Sequence, residues 1–448
     1  MIYSGEDLIK NNFDLSFFLS FCIIIYSSVK LSNLTLKGEN RLIEMTFWLF
    51  VYVWLGITSL GHSLLRVFAW NTNYSSDEIV RVQLLIICSL IFYELGMKLN
   101  FKKNSKKFNE EKKNKKTIKM NFSSIFLLFL LFFCISMLMI FLSGGLYSLF
   151  STRFEQGLRE SDSLKSMNLI MDSLKKTPIF SLLVYVIIEF KNKKYNPSDK
   201  NKFLLLIIIM FFINIIISNP IANPRFWFGA VFLTLLLISF KWKKIYMGIY
   251  IFFLSLILTV VFPYMDTFRV SLESKLTKQN VAYLLLVKGD YDAFQQIMNA
   301  LRVVELKGFT FGEQLLGVIF FWFPRSLWEG KPISTGAFVG ENLNYLFTNF
   351  SSPLWAEFYI NFGVIGVMIM FFFYGKLTYF MQNKMLIKSN LSFYMISYFF
   401  AAYQIFFLRG DLLNAVAYLT PFIVVTIIIN KVLNVERKTY EEKNSIRN

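Results

Sequence analysis

The residues best placed to do chemistry are charged ones set against apolar runs. SSPLWAEFYINFGVIG (residues 351–366) puts Glu357 about one turn inside an apolar segment, with Asn361 a further turn along the same helical face. An acid at that depth is costly and faces a protein or water-filled interior. LRGD (408–411) brings Arg409 and Asp411 into a tight turn between two apolar runs. SNPIANPRFW (218–227) places Arg225 at the head of another run, and PRSLWEGKP (324–332) carries Arg325, Trp328 and Lys331 just after a short apolar stretch. GDYDAFQQIMNALRVVELKG (289–308) opens on Asp290 and Asp292. Arginine offers a rigid fork that pairs with phosphate and carboxylate oxygens, so this set points to an anion site.

The elements that must hold these residues are membrane spans. The chain has 448 residues, 55% hydrophobic and only 17% charged, with 52 phenylalanines. Soluble domains carry about 25% charged residues, so a polytopic membrane protein is the class that fits. Eleven apolar runs read as spans, at residues 13–28, 43–60, 79–96, 125–143, 178–190, 203–218, 226–240, 245–263, 355–374, 391–408 and 412–429. The fifth is short, and its helix is expected to begin near Met167.

Charge sets their direction. Nine lysines fill residues 102–119, and further basic segments lie at 191–202, 241–244, 376–388 and the C-terminal tail. In an eleven-span count all fall on one side, which the positive-inside rule makes cytoplasmic. The N-terminus is then outside and the C-terminus inside. Arginines run against this bias. Arg66, Arg153, Arg159, Arg225, Arg269, Arg302, Arg325 and Arg409 are eight of the twelve, and all fall outside. Taken singly, each could snorkel to a lipid headgroup. As a set they suggest an outward-facing anion site near the membrane surface.

Four segments result: spans one to eight (1–265), a structured outer loop (266–353), spans nine to eleven (354–430) and a tail (431–448). Within the loop, Phe294, Ile297, Met298, Leu301 and Val304 have helical spacing. That helix should lie on the membrane surface or cap a cavity, with Asp290 and Asp292 as charges at its start. Residues 315–323 are too few to cross, since nine residues of helix reach about 14 Å. This segment should dip in and return, ended by Pro324 with Arg325 at its terminus. Gly363 and Gly366 should let a neighbouring helix approach.

Several classes are excluded. The net charge of +18 sits in short loops between apolar runs, not in a nucleic-acid-binding face. Cys22, Cys88 and Cys134 lie inside apolar runs as small buried hydrophobes rather than a disulfide framework. The single His62 cannot build a metal centre by itself, and no Cys/His zinc pattern occurs. No cofactor is implied. The first run follows an acidic segment without an obvious small-residue cleavage site, so it reads as a span and not a signal peptide. The RGD turn is too short to reach a receptor.

PRSLWEGKP and SPLWAEFYINFGVIG resemble the outer-loop signature and the following segment of bacterial Wzy-type polymerases of O-antigen and capsular repeat units. NPRFW, GGLYSLFSTRFE (144–155) and RGD are also similar to features of that family, in the same order. The resemblance runs from the fourth span to the eleventh. It implies a GT-C-like, all-α membrane glycosyltransferase of the bacterial plasma or inner membrane. Such an enzyme transfers a growing glycan from its undecaprenyl pyrophosphate to an incoming lipid-linked unit, without metal or nucleotide sugar. Its partners would be that lipid-linked oligosaccharide, membrane lipids and, in the cell, chain-length regulator and flippase proteins. Cations in a water-poor cavity would stabilise the leaving pyrophosphate. The resemblance assigns this to Arg225, Arg325, Lys331 and Arg409, with Arg153, Arg269, Trp328 and Asn361 around the substrate. A carboxylate would act as base toward the sugar hydroxyl: Glu357 or Asp411 first, then Asp290 or Asp292. Trp322 and Trp355 read as interfacial belt residues. Two other readings remain: an O-antigen ligase, whose outer-loop His this chain lacks, and a lipid-linked oligosaccharide flippase or transporter.

Overall fold

Sequence and structure agree first on helix. The computed structural model describes residues 14–38, 40–70, 72–99, 121–151, 165–192, 197–240, 242–261, 285–387 and 391–445, and these form helices and turns without strands. The helices are α1 (Leu15–Lys37), α2 (Leu42–Leu65), α3 (Ser76–Lys98), α4 (Phe122–Leu142), α5 (Lys165–Asn192), α6 (Pro197–Ile217), α7 (Arg225–Ser239) and α8 (Lys244–Leu256). Then come α9 (Ala293–Lys307), α10 (Glu313–Ile319), α11 (Thr335–Asn342), α12 (Leu354–Ile387), α13 (Leu391–Arg409) and α14 (Leu412–Ser445). Eight of them, α1 to α4, α6 and α12 to α14, are long and apolar enough to cross a membrane by length and composition. Helices α7 and α8 are shorter apolar helices. The fifth apolar run lies in α5, which begins at Lys165, close to the expected start. The protein has the architecture of a polytopic membrane protein, because in hydrocarbon the backbone must satisfy its own hydrogen bonds.

One end of the bundle matters for function. There α1, α3, α7, α12 and α14 begin and α2 and α13 end; we call it the upper end. It is pinned by caps and ion pairs. Asp14 caps α1 through the Ser16 and Phe17 amides, at 3.0 and 3.3 Å, and pairs with Arg66 from the end of α2 at 2.8 Å. Ser75 and Glu78 form a reciprocal capping box on α3, and Glu78 also takes the Arg302 guanidinium of α9 at 2.5 Å.

Helices α3 and α12 pack closest, at glycines the sequence reading did not single out. A Cβ on Gly96 would lie 2.0 Å from the Phe372 carbonyl, and one on Gly375 would lie 2.1 Å from that of Tyr93. Gly363 and Gly366 do not serve this purpose. Gly363 breaks α12, with φ 63° and ψ −154°. The break frees the Ile360 and Asn361 carbonyls, which accept from the Thr310 and Phe311 amides at 3.0 and 3.1 Å. A missing helical donor is thus replaced by the loop chain, as an apolar surrounding requires. A Cβ at Gly363 would meet the Phe309 ring at 2.9 Å, and one at Gly366 would meet Phe362 of its own helix at 2.5 Å.

The described part of the loop, residues 285–353, packs into the upper end. Helix α9 does not lie on a surface. All ten residues from Ala293 to Leu301 and Val303 are buried, including Gln295, Gln296 and Asn299. Its polar side faces a hydrogen-bonded cluster: Tyr74 donates to Asn299 Oδ1 at 2.5 Å, and Asn299 Nδ2 donates to Gln296 Oε1 at 3.1 Å. Its apolar side meets α12 and α3, so an amphipathic pattern here marks two protein neighbours and not a water boundary. The short apolar stretch forms α10, which ends at Ile319, five residues before Pro324; a turn from Phe320 to Phe323 intervenes. Phe311, Ile319 and Trp322 are exposed, as are Phe362 and Ile365 on α12.

Trp355 corrects the belt reading. It is fully buried, 4.3 Å from the Phe371 ring, with Nε1 donating to Ser89 at 2.6 Å. Trp322 remains exposed. Cys22 and Cys134 point out of the bundle and Cys88 is half-buried, so they are not the core residues expected. His62 is buried, with Nδ1 2.6 Å from the Val67 carbonyl and its ring stacked on Phe68.

Candidate functional site

Two tight turns place two arginines. In the turn before α7, Asn219 Oδ1 accepts the Ile221 and Ala222 amides, and Asn223 Nδ2 donates to the Ile217 carbonyl at 2.9 Å. Pro224 then sits at the N-cap and Arg225 opens the helix. In the RGD turn the Gly410 amide donates to Phe406 at 2.7 Å and Asp411 caps α14, leaving Arg409 as the last residue of α13.

Both arginines grip one turn of the loop. Residues Gly289–Tyr291 form a 3-10 turn ahead of α9. Arg225 Nη2 donates to both Asp290 oxygens, at 3.2 and 3.0 Å. Arg409 Nη2 donates to the Gly289 carbonyl and to Asp292 Oδ1, the latter at 3.1 Å. Asp292 also accepts from Ser351 Oγ at 2.7 Å, Trp70 Nε1 at 3.0 Å and Gln296 Nε2 at 3.0 Å. Trp54 Nε1, in a π-helical segment of α2, holds the Asp290 carbonyl at 2.8 Å. Asp292 stands at the N-cap of α9 and Asp290 in the 3-10 turn before it, so both are charges at the helix start as expected, but neither side chain caps the helix amides. They orient two guanidiniums, and the low exposure of all four groups strengthens each charge interaction.

The second carboxylate pair lies on the other side of the RGD turn. Asp411 Oδ1 accepts the Leu413 amide at 3.0 Å, and Oδ2 accepts the Gly336 amide at 2.8 Å. Glu357 accepts Thr335 Oγ1 at 2.7 Å and the Leu412 amide at 2.9 Å. The donors are consecutive residues: 335 and 336 open α11, and 412 and 413 open α14. Glu357 itself lies in the first turn of α12. Three helix N-termini thus converge on two carboxylates, where their unpaired amides and dipoles favour negative charge. Burial nevertheless pushes the Asp411 carboxyl above its ordinary range. Asn361 keeps the expected face: its Nδ2 donates to the Glu357 carbonyl at 2.8 Å, while its Oδ1 accepts Thr310 at 3.0 Å.

Arg325 and Lys331 are engaged within their own loop. Arg325 donates to the Lys331 and Pro332 carbonyls at 2.6 and 2.9 Å. Lys331 is buried, and its ammonium donates to the Phe321 and Phe323 carbonyls at 2.8 and 2.9 Å. Burial and the adjacent Arg325 charge pull that ammonium below the usual lysine range. Arg325 is not at a helix terminus as expected. It closes the loop that α10 begins. Trp328 packs edge-on against Phe320, at 6.2 Å. Arg153, Arg159 and Arg269 lie outside the described residues.

Each of the five described outer-set arginines has a protein partner: Arg66, Arg225, Arg302, Arg325 and Arg409. The structure brings Arg225, Arg409, Asp290, Asp292, Glu357 and Asp411 around one turn. Sequence reasoning missed Ser351, Thr335, Trp54, Trp70 and Gln296, which orient these groups. Polar and aromatic residues of that kind carry no distinguishing local pattern. It also missed Asp172, Lys175 and Lys176 on α5, although two lysines just ahead of the fifth apolar run fall on the same side of the charge count as the arginines. Among the described residues no group of three His, Cys, Asp or Glu side chains is placed to hold a metal ion. Comparison with protein-family models, with curated proteins and with solved structures finds no match to this chain.

Proposed function

We propose that the protein is a membrane glycosyltransferase that polymerises lipid-pyrophosphate-linked oligosaccharide units, with its site at the upper end facing outward. On this reading all eleven apolar runs cross the membrane and the fold is GT-C-like. The observation that supports it is the meeting of two arginines and four carboxylates, drawn from four separate segments, around the RGD turn. Arg225 and Arg409 hold the leaving pyrophosphate and stabilise the charge that develops as the glycosidic bond breaks. Glu357 or Asp411 accepts the proton of the attacking sugar hydroxyl. Thr335 and Gly336 donate to these carboxylates and orient them. Arg325 and Lys331 shape the loop that brings α11 there.

Deletion of the gene tests the reading. Surface glycan limited to a single repeat unit is the expected result. Complete loss of surface glycan, with lipid-linked units trapped in the inner leaflet, would make the protein a flippase instead.

A further inference from the structure

The clamp does not account for every charge inside the bundle. On α5, Lys175 Nζ pairs with Asp172 Oδ1 at 2.9 Å, and Lys176 Nζ pairs with Oδ2 of the same carboxylate. Both lysines are buried, Lys176 at 2% exposure. Tyr418 of α14 donates to the same Oδ2 at 3.3 Å, and its ring centroid is 5.5 Å from the Lys176 ammonium. Burying two ammoniums in an apolar bundle is expensive, and such groups mark binding sites more often than packing. Lys175 spends one of its three donors on Asp172.

Their height is informative. Lys176 stands sixteen residues above Asn192, the end of α5, or about 24 Å at 1.5 Å per residue. That is most of a hydrocarbon layer of about 30 Å. The lysines therefore sit toward the same end as Arg225 and Arg409. A wall of rings joins the two groups. Tyr418 lies 5.7 Å from Trp227 and 6.5 Å from Phe406, Phe406 lies 5.4 Å from Phe226, and Arg409 stands 5.5 Å over the Phe226 ring.

Polymerisation as proposed above brings two lipid pyrophosphates together, one on the donor and one on the acceptor. Their like charges need two separate cationic seats. Resting on that reading, we infer that Lys175 and Lys176 form the second seat, for the pyrophosphate of a second lipid-linked molecule, with the Tyr418–Phe226 wall between it and the arginine clamp. Asp172 holds the two ammoniums side by side while the seat is empty. The chemistry recognised is a phosphoryl oxyanion, which a lipid pyrophosphate or an ordinary anionic phospholipid could present.

Native mass spectrometry of the full-length protein in lipid nanodiscs, titrated with undecaprenyl pyrophosphate, counts the seats. Wild type should bind two molecules. Lys175→Gln and Lys175→Gln/Lys176→Gln should bind one at wild-type affinity and the other at least about tenfold more weakly. Lys175→Arg should retain both. Thermal unfolding reports whether each variant is folded. Should the double variant misfold, Lys175→Gln carries the test, because it leaves the Lys176–Asp172 pair in place. Two molecules bound with unchanged affinity in Lys175→Gln would overturn the second seat and leave the polymerase reading standing. Absence of binding to wild type would overturn both. If phosphatidylglycerol displaces the second molecule as readily as undecaprenyl pyrophosphate does, the seat belongs to bulk lipid and the inference fails.

Discussion

Replacing Arg409 by alanine separates a structural clamp from a substrate-binding one. Asp292 is 1% exposed at its side chain and accepts four hydrogen bonds, of which only the Arg409 one brings positive charge. Arg409→Ala leaves a buried, uncompensated carboxylate, which costs about 3–5 kcal/mol. Unfolding entropy is about 2.1 cal/mol/K per residue, so each kcal/mol moves the midpoint of a chain this long by about 1 °C. The variant should therefore melt about 3–5 °C lower in detergent, by intrinsic fluorescence. Asp292→Asn removes the stranded charge. The double variant Arg409→Ala/Asp292→Asn should regain part of the loss, with a coupling of about 1–3 kcal/mol across the cycle. Chain extension, read as the ladder of glycan lengths on a gel, should be lost in Arg409→Ala and remain lost in the double variant. An unchanged melting midpoint in Arg409→Ala would refute the clamp. Recovery of long glycan in the double variant would refute the anion-binding role, because Arg409 would then act only on the fold.

Two more predictions concern the carboxylate pair and the broken helix. The raised Asp411 carboxyl implies that the folded protein keeps a proton which the unfolded chain releases near pH 3.9. Its stability contribution is present below that pH and is lost as pH rises toward the folded value. Wild-type stability relative to Asp411→Asn should thus fall as pH rises above about 4 in thermal melts, and a gap that widens in favour of wild type would contradict the shift. Gly363→Ala forces a side chain into positive φ and against the Phe309 ring, at a cost of about 1–3 kcal/mol. Protease protection of residues 308–312 should drop with it, and an unaltered cleavage pattern would mean that the break does not hold the loop.

Much of the architecture was legible before any coordinates. A bilayer demands long apolar helices, so α1 to α4, α6 and α12 to α14 could be located from hydrophobicity alone. Even the early start of α5 was readable. Short-range chemistry was readable too. Arg225 opens α7 behind Pro224, because turn preferences act within a few residues. The amphipathic pattern of α9 was correct, and the reading that it lies on a surface was not. A stripe of Gln and Asn looks the same whether water or a buried hydrogen-bond network satisfies it.

Pairing lay beyond local reading. Arg409 meets Asp292 across 117 positions and Arg225 meets Asp290 across 65. Nothing near either arginine specifies its partner. Sequence by itself determined which segments are long and apolar enough to cross a membrane and which charges stand at their ends, because transfer into hydrocarbon is decided residue by residue. Tertiary structure alone decided that Glu357 and Asp411 share three helix N-termini, that Gly363 breaks a helix to receive a loop, and that Arg325 and Lys331 hold main-chain carbonyls. Those outcomes depend on which buried polar group finds a partner at hydrogen-bond distance, and that is a property of the packed whole.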